Sequence, residues 1–257
     1  MCAAYHADLL IARGRWTILD WMLDRKDDLF EPMDTVLDAT DIHACAQLAA
    51  HGDLRRLQQA RLAGFSCNSK VSYAAAQWGH LDVLQWLDNV GRVALAYVSS
   101  AAAYGGHLHV LQWALENGGE WGEWAWAHIV RGGHIHILEY ARVHRKGGWP
   151  GYLCAESAQG GHLDTLKWLR TNGSSWGPKT CSTAAHHGHF HVLQWARANG
   201  CPWDESTCAG AAKGGHLEIL QWAIDNGCPW DGSARKKADQ NGHRHIVEWI
   251  DARDCPS

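Results

Sequence analysis

The side chains best able to do chemistry here are imidazoles and thiols: 18 His and nine Cys in 257 residues. The densest group is His186-His187-x-His189-x-His191, which could hold zinc or nickel at a surface. Most other histidines are periodic. Gly-His followed by an apolar residue recurs at Gly79-His80-Leu81, Gly106-His107-Leu108, Gly133-His134-Ile135, Gly161-His162-Leu163, Gly188-His189-Phe190 and Gly215-His216-Leu217. A variant closes the series at Gly242-His243-Arg244. Successive turn histidines are 27 or 28 residues apart. His109, His136, His191 and His245 form a second column two residues further on, expected to be exposed.

One histidine per unit argues against a metal centre. Stacked helices lie about 8–10 Å apart, too far to share an ion whose ligand bonds are about 2 Å. The turn histidines are expected to satisfy backbone groups instead. The cysteines are columnar too: Cys45, Cys154, Cys181 and Cys208 in one register, Cys201, Cys228 and Cys255 in another. Column mates one stack apart exceed the roughly 4.4–6.8 Å Cα separation of a disulfide. No Cys-x-x-Cys occurs. They are expected to be small buried residues in a reducing compartment.

Catalytic signatures are missing. There is no Gly-x-Ser-x-Gly, phosphate loop or dinucleotide fingerprint, and pairs such as Gly105-Gly106 and Gly132-Gly133 recur as turns. No enzymatic activity, cofactor or small-molecule substrate is expected. A net charge of −4 and a pI near 6.5 argue against a nucleic-acid binder. No apolar run approaches the roughly 18 residues of a membrane span, and the N-terminus shows no signal-peptide pattern.

The elements that must position these residues repeat with them. Six residues after the His stands Trp86, Trp113, Tyr140, Trp168, Trp195, Trp222 or Trp249, and Trp21 matches in a first, looser unit. Gly91, Gly118, Gly173, Gly200 and Gly227 follow at eleven, and Trp121, Trp176, Trp203 and Trp230 at fourteen. Trp149 joins them once an inserted residue near Lys146 is allowed. The segment His216–Gly227 has helical apolar spacing and ends on Asn226-Gly227, a helix stop. Thr207–Gly214 is a short small-residue helix, and Cys201-Pro-Trp-Asp204 a connector. A unit of this size cannot bury a core alone, so units must stack. The expected fold is an all-α helix-pair solenoid. Residues 1–40 would form an N-terminal capping unit with an inserted loop, 41–230 seven repeats, and 231–257 a C-terminal cap. The cap shows in Arg235 in a Cys column, Asp239 in an Ala column and Arg244 in a Leu column.

The string Ala211-Ala212-Lys-Gly-Gly215-His216-Leu217-Glu218-Ile219-Leu220, with Asn226-Gly227, resembles the ankyrin repeat. It looks like the short variant with Asn-Gly-Cys-Pro-Trp-Asp connectors found in giant DNA viruses and some protists. The period is six residues below the roughly 33 of ordinary ankyrins, and the loss falls in their β-hairpin finger. The resemblance implies a protein-binding scaffold with its first helices on the concave side. It also implies a cytoplasmic partner protein, a host protein if the chain is viral. Some relatives carry a ubiquitin-ligase-binding F-box. Leu29-Phe30-Glu31-Pro32 does not match its Leu-Pro-x-Glu start. The alternative role, a substrate-recruiting ligase subunit, would need residues 1–40 to contact the ligase.

Positions ten, six and three before the turn His vary between units and share one helix face. They hold Lys70, Tyr97, Trp124, Tyr152 and Lys179, then His128 and Glu156, then Tyr104, Arg131 and Lys213. Tyr, Trp and Arg dominate binding hot spots, so Tyr97, Tyr104, Trp124, Arg131 and Tyr152 are the expected partner-binding centre. Lys70, Lys179 and Lys213 would meet an acidic rim. The competing expectation is structural: Tyr97, Trp124 and Tyr152 cover the short connectors and stack on one another. A monomer is expected.

Overall fold

The computed structural model describes residues 37–253 apart from 92, 94, 123–124 and 145–147. Most of the N-terminal capping segment, Trp124 and Cys255 therefore lie outside the described residues. Among the described residues there are sixteen helices and no strand. In chain order they pair as α1 (Leu37–Ala50) with α2 (Leu54–Leu62), α3 (Ser69–Trp78) with α4 (Leu81–Asn89), α5 (Leu95–Gly105) with α6 (Leu108–Glu116), and α7 (Ala125–Arg131) with α8 (Ile135–His144). They continue as α9 (Leu153–Gly160) with α10 (Leu163–Thr171), α11 (Pro178–His186) with α12 (Phe190–Ala198), α13 (Glu205–Gly214) with α14 (Leu217–Asp225), and α15 (Gly232–Gln240) with α16 (Arg244–Asp251). This is an all-α helical repeat. The residues fall into two compact units, Met1–Ala125 and Trp126–Ser257.

In most of the described pairs both helices stop at a left-handed glycine. Gly188 ends α11 with φ +78°, and Gly200 ends α12 with φ +85°. At each stop the next amide reaches back five residues: His189 to the Ala184 carbonyl at 2.9 Å, Cys201 to the Ala196 carbonyl at 2.9 Å. This is the Schellman closure, and it needs the glycine because a Cβ is strained at positive φ. The turn His thus closes one helix and stands as N-cap residue of the next. Connector acids open the first helices: Asp204 accepts from the Ser206 amide at 3.0 Å, Asp231 from the Ser233 amide at 2.9 Å.

Packing follows the columns. The alanine pairs Ala75-Ala76, Ala184-Ala185 and Ala211-Ala212 are fully buried, as are Leu84, Leu111, Leu138, Leu166, Leu193 and Leu220 of the second helices. Such small residues let first helices pack side by side: α1 on α3 and α3 on α5 in the first unit, α9 on α11, α11 on α13 and α13 on α15 in the second. The approach is close enough to demand glycine. A Cβ on Gly214 would stand 2.1 Å from the His186 carbonyl oxygen, and one on Gly105 2.0 Å from that of Gln77.

Contacts between second helices are sparser, and indoles fill the gap. The connector Trp of one repeat meets the helix Trp of the next edge to face, Trp149 on Trp168, Trp176 on Trp195 and Trp203 on Trp222, at 5.4–5.8 Å. Arg170 and Arg197 lie over Trp176 and Trp203 at 4.1 and 4.4 Å. In these three repeats the two Trp columns meet pairwise. In the last helix pair, Arg235 on α15 grips Asp251 on α16 through Nε and Nη2 at 2.5 and 2.9 Å, so the charge that breaks the Cys column is paired.

Candidate functional site

The turn histidines have a backbone role that reaches across repeats. Nε2 of His80 donates to the Ala50 carbonyl at 2.9 Å, His189 to Gln159 at 2.9 Å and His243 to Lys213 at 3.0 Å. Each acceptor lies 30 residues upstream, in the preceding repeat. The ring also rests on the previous repeat's turn glycine: a Cβ on Gly161 would meet His189 at 2.6 Å. The second column adds a parallel stitch, His109 to the Gly79 carbonyl at 2.9 Å and His191 to Gly161 at 3.1 Å. In the dense cluster, His187 Nδ1 donates to the Thr183 carbonyl at 3.0 Å, and His186 bonds to the Gly210 backbone. Burial lowers the pKa of His186 and His189, with neighbouring positive charge adding to it. Among the described residues no three His, Cys, Asp or Glu side chains are grouped to hold a metal ion.

The seven described cysteines are buried. They meet across columns rather than within them. The Cys181 thiol is hydrogen-bonded to Cys201, and Cys208 to Cys228. In each pair the first-helix thiol is pushed up and the connector thiol pulled down, because one donates to the other. The connector thiols also reach backbone, Cys201 to the Gly177 carbonyl at 3.5 Å and Cys228 to that of Asp204 at 3.3 Å. In the preceding repeat Ser174 replaces the connector Cys and takes the Cys154 thiol at 3.5 Å. Column spacing in the sequence compares like with like, so it misses this pairing. The signal that could find it is the constant offset of 20 residues from first-helix Cys to connector Cys.

The variable face divides between the two units. In the first, Lys70 lies exposed on α3, and Tyr97 and Tyr104 on α5, 60% and 49% exposed. Two aromatics outside the expected set join them on α3: Tyr73 at 40% and Trp78 at 59%. Tyr73 stands seven before the turn His, in helical register with the variable columns, so periodicity could have found it.

In the second unit, Arg131 on α7 donates to Glu156 Oε2 on α9, through Nε at 3.1 Å and through Nη2 as an ion pair. His128, one turn before Arg131, has its pKa lowered by burial and by Arg131, against the opposing pull of Glu156. Three of the expected residues therefore form one cluster. Tyr152, 38% exposed, is the N-cap residue of α9, and Lys179 and Lys213 are exposed on α11 and α13.

Comparison with known proteins adds no assignment. No protein-family model matches the chain, and no curated protein matches it.

Proposed function

We propose that this chain is a non-enzymatic scaffold, an ankyrin-like solenoid with shortened connectors, whose first-helix face binds a partner protein. The observation that carries the reading is a contrast between two sets of aromatics. The second-helix and connector tryptophans Trp149, Trp168, Trp176, Trp195, Trp203 and Trp222 are engaged with one another between repeats. Tyr73, Trp78, Tyr97 and Tyr104 stand exposed on the packed helices α3 and α5. Exposed Tyr and Trp on a rigid helical surface are the residue types that anchor protein interfaces. Among the groups most able to do chemistry, His80, His189 and His243 join repeats, and the described cysteines pack in the core. The resemblance to short viral repeats makes a cytoplasmic host protein the proposed partner.

The test is a pull-down with the full chain beside a Tyr97→Ala/Tyr104→Ala variant shown by circular dichroism to keep its helix content. A protein retained by the wild type and lost by the variant identifies the partner and supports the face. Capture that is equal with both baits assigns these tyrosines no part in binding.

A further inference from the structure

Charge is segregated in the second unit. On α11, α13 and α15, the positions ten, seven, six and three before the turn His hold Lys179, Lys213, Lys236 and Lys237, and no carboxylate. These positions share one face of each helix, and all four lysines are exposed. None has an ion-pair partner among the described residues. The neighbouring Glu156 is already held by Arg131. Asp204 and Asp231 turn to the helix starts they cap, while Glu205 and Asp239 stand beside the face, outside these columns. The second helices carry exposed acids, among them Glu218, Asp225 and Glu248. A chain of net charge −4 thus presents one locally cationic face.

We propose that this lysine face binds an acidic, extended segment of a partner protein, which rests on the scaffold reading above and gives the partner its chemistry. Neighbouring first helices are about 8–10 Å apart. An extended chain advances about 3.3 Å per residue, so an Asp or Glu every second or third position meets successive helices. A nucleic acid fits less well. The face has no unpaired arginine fork and no Phe, Tyr or Trp on α11, α13 or α15 to stack a base. The net negative charge also opposes a polyanion at long range.

The experiment titrates the full chain with a short fluorescein-labelled peptide alternating Glu and Ser, read by anisotropy. A Gln/Ser peptide and an oligothymidylate of equal charge run beside it. The Glu peptide binds, and added salt weakens it. The Lys179→Glu/Lys213→Glu/Lys236→Glu/Lys237→Glu variant loses about tenfold or more in affinity. The corresponding Lys→Gln variant, free of new repulsion, shows a smaller loss in the same direction. Lys167→Glu, on the second-helix side, changes nothing. No binding, binding equal in the charge-reversed variant, or tighter binding of the oligothymidylate overturns the proposal. A partner captured through Tyr97 and Tyr104 with no dependence on these lysines would leave the scaffold reading standing and remove this one.

Discussion

His189 donates from Nε2 to the carbonyl oxygen of Gln159, 2.9 Å away and 30 residues upstream. The acceptor is the last variable-face position of the preceding first helix, and the donor opens the following second helix. One side chain thus ties the first-helix end of one repeat to the turn between helices of the next. Its ring packs where only a glycine, Gly161, leaves room.

Removing that tie should destabilise without unfolding. His189→Ala leaves the Gln159 carbonyl short of a donor and opens space beside Gly161, so a loss of about 1–3 kcal/mol is expected. Urea unfolding followed by tryptophan fluorescence measures it. A shift within error would show that water replaces the imidazole at no cost.

The two kinds of left-handed glycine should separate in a matched pair of variants. Gly215 and Gly227 have the same φ, +81°. A Cβ on Gly215 would stand 2.7 Å from His243, whereas nothing lies within 4 Å of one on Gly227. Gly227→Ala should cost about 1 kcal/mol from backbone strain alone, and Gly215→Ala clearly more. Equal losses would mean the imidazole moves aside freely.

Acid should weaken the fold before carboxylates titrate. His128, His186 and His189 all have lowered pKa values, with burial the largest cause. Their unfolded counterparts take up protons near pH 6.5, while the folded rings resist. The stability they contribute is therefore present above that pH and is lost as pH falls through the folded values. Denaturation midpoints should drop between neutral pH and pH near 5.5, and a His186→Gln/His189→Gln variant should drop less. An unchanged slope would assign the acid sensitivity to other groups.

Arg131 and Glu156 join neighbouring first helices while both remain partly exposed. A double-mutant cycle with Arg131→Ala and Glu156→Ala should give a coupling of about 0.5–1 kcal/mol. Its decrease in high salt would identify the coupling as ionic.

The buried thiols should be inert until the chain opens. Cys154, Cys181 and Cys208 are fully buried, and their thiols are pushed up, Cys154 by burial and the latter two by the bond to a partner thiol and then by burial. Alkylation by iodoacetamide, mapped by mass spectrometry, should label them in denaturant and spare them in the native chain. Rapid native labelling of Cys181 would contradict the buried pairing.

The sequence alone determined the repeat, the helix pairs, the glycine stops and the alanine-lined contact between first helices. Each is a local property written once per unit: Gly188 and Gly200 mark helix ends because few other residues tolerate positive φ, and Ala184-Ala185 mark a contact because only small side chains permit it. Exposure on the variable face was partly legible, since Lys179, Lys213, Tyr97 and Tyr104 share helical register with one another. Tertiary structure alone decided the partners. That His189 reaches Gln159, that Cys181 meets Cys201, that Trp176 meets Trp195 and that Arg131 is held by Glu156 all depend on how far one repeat is shifted and rotated against the next. That displacement is set by close packing of whole helices, which no single unit encodes.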